Sequence, residues 1–254
     1  MPQVIRTVTE WRALRAKYRV AGRSVGFVPT MGALHEGHAT LFRAARRQCD
    51  VVLASVFVNP TQFDEKRDFD LYPRTLEADC KLMDAAGVDV VFAPAVEEMY
   101  PNGLSYAVVE TEFSRRLCGA HRPGHFDGVL TVVMKLLQIA DADRAFFGEK
   151  DYQQLELIRG MCQAFFLSTQ IVPCPLIRDA DGLAMSSRNA RLSPAERALA
   201  PMFYKILSTA PTAADAREQL GKAGFVVDYV EDHALRRYGA VRLGATRLID
   251  NVAR

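Results

Sequence analysis

Two histidines three positions apart, His35 and His38, stand in the segment Pro29-Thr30-Met31-Gly32-Ala33-Leu34-His35-Glu36-Gly37-His38. It lies between an apolar run and a helical pattern, and its residue types suit a phosphate. Gly37 removes a side chain where a ligand approaches the backbone. The first turn of the following helix offers unpaired N–H groups and a partial positive charge. Imidazoles at such a place stabilise charge on a phosphorane-like transition state or donate a proton to it. The spacing is not that of a zinc protease, whose second histidine falls four positions on. Taken alone, the pair also reads as two surface histidines.

Four further segments carry chemistry. Gly148-Glu149-Lys150-Asp151 follows the apolar Ala145-Phe146-Phe147 and precedes a helix. Lys150 is a point charge for a phosphate, while Asp151 reads equally as a helix cap. Gln153 and Gln154 come next, on a helix whose solvated face would hold such residues without any site. Met185-Ser186-Ser187-Arg188-Asn189 sets two hydroxyls and a guanidinium in a loop, a combination that grips triphosphate oxygens or simply links domains. Asn59 and Gln62, in Phe57-Val58-Asn59-Pro60-Thr61-Gln62-Phe63, donate and accept, which suits a hydroxy acid; Asn59-Pro60 also suits a plain turn. His121-Arg122-Pro123-Gly124-His125-Phe126-Asp127-Gly128 joins the cation Arg122 to a glycine-containing turn, with a solvated loop as the bland alternative.

Positioning these segments is the work of alternating elements. Helical patterns cover Thr9 to Tyr18, His38 to Cys49, Thr75 to Ala86, Gly128 to Ala140 and Asp151 to Phe166. Strands are expected at Ser24 to Pro29, Val51 to Val58, Val88 to Phe92, Ala145 to Phe147 and Gln170 to Ile177, the last carrying prolines and so suited to a sheet edge. The run VVLASVFV at Val51 to Val58 is β-branched and continuously apolar, as a parallel strand covered on both faces is. Alternation of this kind predicts βαβ units, a parallel sheet and ligands beyond the carboxyl ends of the strands. Past residue 179 the composition changes. Ser193-Pro194 reads as a cap and first helical position, helices follow near 194–208 and 212–223, and strands near 225–231 and 240–250. The expected fold is α/β, a Rossmann-like sheet with helices on both faces over 1–178, with a small α+β unit over 179–254.

The 254 residues are 49% hydrophobic and 24% charged, a globular balance, and the net charge of +2 disfavours nucleic acid as the main partner. The five scattered cysteines form no CxxC pair, so a disulfide framework or structural zinc is not expected, and all five read as small buried hydrophobes in a reducing compartment. No signal-peptide-like stretch and no long apolar run point to a membrane.

Together, PTMGALHEGH, FVNPTQF, YPRTLEAD, RPGHF, FGEKDYQQL, MSSRN and VRLGATRLIDN resemble the pantoate–β-alanine ligase family, in that family's order and over nearly the whole chain. HxGH alone is shared with nucleotidyltransferases and class I aminoacyl-tRNA synthetases; the set is specific. The resemblance implies a cytoplasmic homodimer that joins pantoate to β-alanine through an acyl-adenylate. ATP would lie over Met31, Gly32, Ala33, Leu34, His35, Glu36, Gly37 and His38, over Gly148, Glu149, Lys150 and Asp151, and over Met185, Ser186, Ser187 and Arg188, with Ile177 beside the adenine. His35, His38, Lys150, Ser186, Ser187 and Arg188 would act on the phosphates, His38 as proton donor. Gln62 and Gln154 would bind pantoate, Gln62 also lying near β-alanine, with Asn59 and Arg122 completing the substrate set. Mg²⁺ would accompany the triphosphate, with Asp79 as an outer ligand. The chain departs from the pattern at Ala39-Thr40 and His121, and its C-terminal part looks shortened between Tyr229 and Val241. Rival readings are a nucleotidyltransferase acting on a second phosphate, which the amides of FVNPTQF oppose, a class I synthetase, which lacks here an anticodon-binding region, and an ATP sensor without catalysis, which should lack part of the phosphate-contacting set.

Overall fold

The computed structural model describes residues 1–63, 69–70 and 72–254. A six-stranded parallel sheet is built from β1 (Gln3–Ile5), β2 (Val25–Thr30), β3 (Val51–Val56), β4 (Val90–Phe92), β5 (Arg144–Gly148) and β6 (Gln170–Cys174), in the order β1-β4-β3-β2-β5-β6. Successive side chains of a strand point to opposite faces. Phe27 and Val28, Leu53 and Val52, and Phe147 and Phe146 accordingly divide between two apolar layers. One layer is closed by α1 (Val8–Val20), α5 (His125–Ala140) and α6 (Tyr152–Ala164), through Trp11, Leu130, Leu137, Leu155 and Ile158. The other is closed by α2 (Glu36–Gln48) and α3 (Leu76–Ala85), through Phe42, Ala45 and Met83. These are the doubly covered strands the apolar runs predict, and β6, with Pro173, takes the sheet edge.

The strand order decides where the chemistry sits. From β2 the chain steps outward through β3 and β4, then returns to lay β5 against the other side of β2, with Gly26 opposite Arg144 and Phe27 opposite Ala145. Order reverses between β2 and β5, and the carboxyl ends of strands at such a reversal open into a crevice. The loops after β2 and β5 carry HEGH and GEKD, so topology alone brings the two together.

The second unit holds α7 (Pro194–Leu199), α8 (Pro201–Thr209), α9 (Ala213–Lys222) and an antiparallel sheet of β7 (Val226–His233), β8 (Arg236–Leu243) and β9 (Thr246–Ala253). One apolar layer joins Phe203, Leu207 and Leu220 of the helices to Val241 and Leu243 of the sheet. Tyr229, Tyr238 and Ala240 meet Leu117 of the first unit.

Several elements differ from the sequence expectations. Strand β1 and the short α4 (Val96–Met99) were not expected; three residues are too few to show alternation. The helix near 194–208 is two helices, divided where Pro201 begins α8, because proline cannot donate within a continuing helix. The strand near 240–250 is two strands turned at Gly244, whose φ of +56° is open to glycine. The stretch that looks shortened, Tyr229 to Val241, is a hairpin closed at Ala234 and Leu235.

Candidate active site

The loop between β2 and α2 is held from beneath. The buried Asp79, in the first turn of α3, accepts hydrogen bonds from the N–H groups of Ala33 at 3.1 Å and Leu34 at 2.8 Å, and from Thr75 Oγ1 at 3.1 Å. Gly32 lies at φ +84°, and a Cβ there would stand 3.0 Å from Asp79 Oδ2. Asp79 thereby shapes the loop with both carboxylate oxygens engaged. His35 then caps α2: its Nδ1 accepts from the Gly37 N–H at 3.1 Å, while the His35 N–H donates to His38 Nδ1 at 3.3 Å. A ring nitrogen that accepts carries no proton, so the neutral His38 bears its hydrogen on Nε2. The two rings lie 4.2 Å apart.

Both imidazoles are pushed toward the neutral form. Burial is the main cause that lowers His38 to about 3, with His35 and the Lys150 ammonium acting the same way against Asp151. Burial and then Lys150 also lower His35. Lys150 stands on the 3-10 turn Glu149–Asp151 that carries β5 into α6, 3.8 Å from Asp151. The third segment is folded back onto the first two by a narrow loop. Arg178 and Ala184 form an isolated bridge, and the Met185 N–H donates to the Ile177 carbonyl at 3.0 Å. Ser186 Oγ accepts from the Arg188 N–H at 3.2 Å, closing the turn that presents Ser187 and Arg188.

Met31, His35, Gly37, His38, Gly148, Lys150, Asp151, Ile177, Met185, Ser186, Ser187 and Arg188 line one crevice, together with Asn59, Gln62, Arg122 and Gln154. Other expected residues stand outside its lining. Gly32, Ala33 and Leu34 form the loop's back; the exposed Glu36 turns to Arg43, and Glu149 to Arg236. The side of the crevice that holds Asn59 and Gln62 is also tightly built. Asn59, 1% exposed, donates to Gln62 Oε1 at 3.1 Å and to the Gly128 carbonyl at 3.2 Å, and accepts from Tyr100 OH at 2.7 Å. With its amide so occupied, Asn59 positions Gln62. Gln62 Nε2 lies 3.0 Å from Met31 Sδ. Arg122 Nη2 donates to the Gln62 carbonyl at 3.1 Å.

Sequence reasoning passed over two residues. His125 lines the crevice, its Nδ1 2.8 Å from the Gln62 carbonyl and its Nε2 3.1 Å from Arg122; the RPGHF segment was the available signal. Tyr72, of YPRTLEAD, also lines it, and burial raises its hydroxyl's pKa. The paired glutamines separate: Gln154 faces the crevice, whereas Gln153 is buried and donates to the carbonyls of Phe113 and Arg116 at 2.8 Å each. All five cysteines are free thiols, and burial pushes Cys162 and Cys174 up to about 11. Cys118 departs from the expectation: half-buried, its Sγ meets Tyr229 OH at 3.0 Å and Arg247 at 3.7 Å. No cluster of three His, Cys, Asp or Glu able to hold a metal occurs among the described residues. No helix is long and apolar enough to cross a membrane among those residues.

Comparison with known proteins gives one answer. Residues 3–253 match the family model for pantoate–β-alanine ligase. A pantothenate synthetase of Bdellovibrio bacteriovorus is 51% identical over 252 residues, covering 99% of each chain. One from Legionella pneumophila is 46% identical over 249 residues, covering 98% of each. Among solved structures, a pantoate–β-alanine ligase from Francisella tularensis, complexed with β-γ ATP and β-alanine, superposes with a TM-score of 0.93 at 37% identity, covering 100% of this chain and 98% of that one. The pantothenate synthetase of Thermus thermophilus superposes with a TM-score of 0.90 at 42% identity, covering 99% of each. The chain belongs to the pantoate–β-alanine ligase family and is a ligase that forms pantothenate.

Proposed function

We propose that the crevice adenylates pantoate and then transfers the pantoyl group to β-alanine. A carboxylate is a poor acyl donor because its leaving group is oxide. Pantoate therefore attacks the α-phosphate of ATP and expels pyrophosphate; the β-alanine amine attacks the resulting acyl-adenylate and releases AMP. The observation that carries this reading is the convergence of His35, His38, Lys150 and Ser186 to Arg188 with the amides of Gln62 and Gln154 in one crevice. A phosphate site lies beside an acid site whose amides, Gln62 and Gln154, share the lining with the Arg122 guanidinium, itself bonded to the Gln62 carbonyl. Neutral amides bind a carboxylate and hydroxyls without the strong pairing that would blunt attack on phosphorus.

Residue roles follow from local chemistry. ATP rests on the Met31–His38 loop, with the N-terminal turn of α2, Lys150, Ser186, Ser187 and Arg188 offsetting phosphate charge and Ile177 beside the adenine. His38 helps from the uncharged state, through the hydrogen of its Nε2. Gln62 and Gln154 hold pantoate, Gln62 reaches the β-alanine side, and Arg122, bonded to the Gln62 carbonyl, completes the substrate set. Among the described residues, the crevice has imidazoles, hydroxyls, amides, the cations Arg122, Lys150 and Arg188 and a single carboxylate, Asp151; such a set would suit a magnesium ion carried in by the triphosphate, not one caged by protein oxygens. Such an ion would supply charge neutralisation at the phosphates. Asp79, its two oxygens occupied by the loop and Thr75, would serve as an outer ligand only. We read residues 1–178 as the ATP- and pantoate-binding unit and 179–254 as a lid. A cytoplasmic homodimer fits the family.

AMP and pyrophosphate are expected from ATP only when pantoate is supplied, and pantothenate only when β-alanine is added. Mass spectrometry of the products tests this, and ADP with phosphate as main products would overturn the adenylation reading.

A further inference from the structure

The C-terminal motif Ile249-Asp250-Asn251 lies on β9, in the second unit, yet its polar side chains reach into the first. The Asn251 amide is 3% exposed. Its Nδ2 donates to the backbone carbonyls of Glu149 at 2.9 Å and Lys150 at 3.0 Å. Its Oδ1 accepts from Arg236 Nη1 at 2.5 Å. Both amide hydrogens and the amide oxygen are thus used, and the opposite flip would turn oxygen against two carbonyls. The Arg236 guanidinium lies 3.7 Å over the ring of Tyr152 and 3.5 Å from the Glu149 carboxylate. The turn that bears Lys150 is therefore gripped at three successive places: the Glu149 side chain, the carbonyls of residues 149 and 150, and the Tyr152 ring. The neighbouring Asp250 binds Arg178 through two hydrogen bonds, at 2.6 and 2.9 Å, where the chain enters the loop leading to Ser186.

Lys150 needs such support. A 3-10 turn between a strand and a helix has poor internal geometry, and the lysine stem has four rotatable carbons and one charge at its end. A small rotation of the turn moves that charge by more than a hydrogen bond tolerates. We infer that Asn251, braced by Arg236, is a positioning residue that fixes the Lys150 turn from the neighbouring unit, so that docking of the C-terminal sheet and placement of the phosphate-facing cation are one event. This rests on the reading of Lys150 as the cation that faces the triphosphate. With both amide hydrogens and the amide oxygen already engaged, Asn251 acts through the turn.

The experiment is a double-mutant cycle between Asn251 and Lys150, read as kcat and the KM for ATP of pantoate-dependent pyrophosphate release. Asn251→Ala and the isosteric Asn251→Asp, which sets carboxylate oxygens against the two carbonyls, should each lower kcat by about 10- to 100-fold with a smaller change in KM. In the Lys150→Ala background the same changes should cost less than about twofold, because the group being positioned is gone. Arg236→Lys keeps the charge against Glu149 and loses the Nη1 hydrogen bond to Asn251; it should show the same non-additivity on a folded enzyme if the Asn251 variants fold poorly. Full additivity, or Asn251 variants with wild-type kcat, would overturn the inference and leave the role of Lys150 standing. Wild-type activity in Lys150→Ala alone would instead remove that role, and the inference with it.

Discussion

At the scale of single residues, burial pushes the imidazoles of His35 and His38 toward the neutral form. His38 is lowered from 6.5 to about 3, chiefly by burial. As pH falls below 6.5 the unfolded chain takes up this proton first, so stability present at neutral pH is lost progressively toward about 3. His35 acts in the same direction. Thermal melting of wild type should therefore drop faster than that of His38→Gln between pH 6.5 and 4, and parallel curves would contradict the assignment. The same variant tests catalysis: His38→Gln should fold at pH 7 and lose about 10² to 10⁴ in kcat. Turnover near wild type would return His38 to an ordinary capping residue.

At the scale of elements, α5 and the Pro60–Gln62 turn are in unusually close contact. A Cβ on Gly128 would stand 2.2 Å from the Thr61 carbonyl oxygen and 2.9 Å from the Gln62 nitrogen. Both are backbone atoms, so the helix or the turn must move. Alanine ordinarily favours a helix over glycine by about 1 kcal/mol, yet Gly128→Ala should displace Gln62 from the acid pocket. Steady-state kinetics should show the KM for pantoate raised roughly 5- to 150-fold, the cost of about 1–3 kcal/mol in lost hydrogen bonds, while calorimetric ATP affinity stays within about threefold. Loss of ATP binding with pantoate KM intact would place Gln62 on the wrong substrate. That contact was not legible in the sequence, where Gly128 is one more residue of an apolar helix. What was legible came from period and punctuation: the apolar runs of β2 and β3, the Ser193-Pro194 start of α7, and the glycine and histidines of the first loop. Asn59, Gln153 and Asp79 show why the rest was not. Each is a polar residue of the kind that binds ligands, and each spends its hydrogen bonds on backbone or side chains brought from distant parts of the chain. Only the folded arrangement tells a glutamine that faces a crevice from its neighbour that fills a core.

At the scale of the whole molecule, the groups we assign to the phosphates come from separate stretches of chain that line one crevice. Lys150 belongs to the parallel-sheet unit, and Ser186 to Arg188 belong to the segment leading out of it, while Arg178, Asp250 and Asn251 tie the two together. ATP should therefore slow hydrogen exchange in Met185 to Arg188 more than in the hydrogen-bonded core of β9, and equal exchange with and without ATP would make that loop a linker only. The central claim is that the pantoate carboxylate, activated as an adenylate, becomes the amide. Heavy-oxygen label in both carboxylate oxygens of pantoate follows that path atom by atom. Transfer through the adenylate leaves one labelled oxygen in AMP and the other in the pantothenate amide, whereas label in inorganic phosphate, with ADP as the nucleotide product, would contradict it.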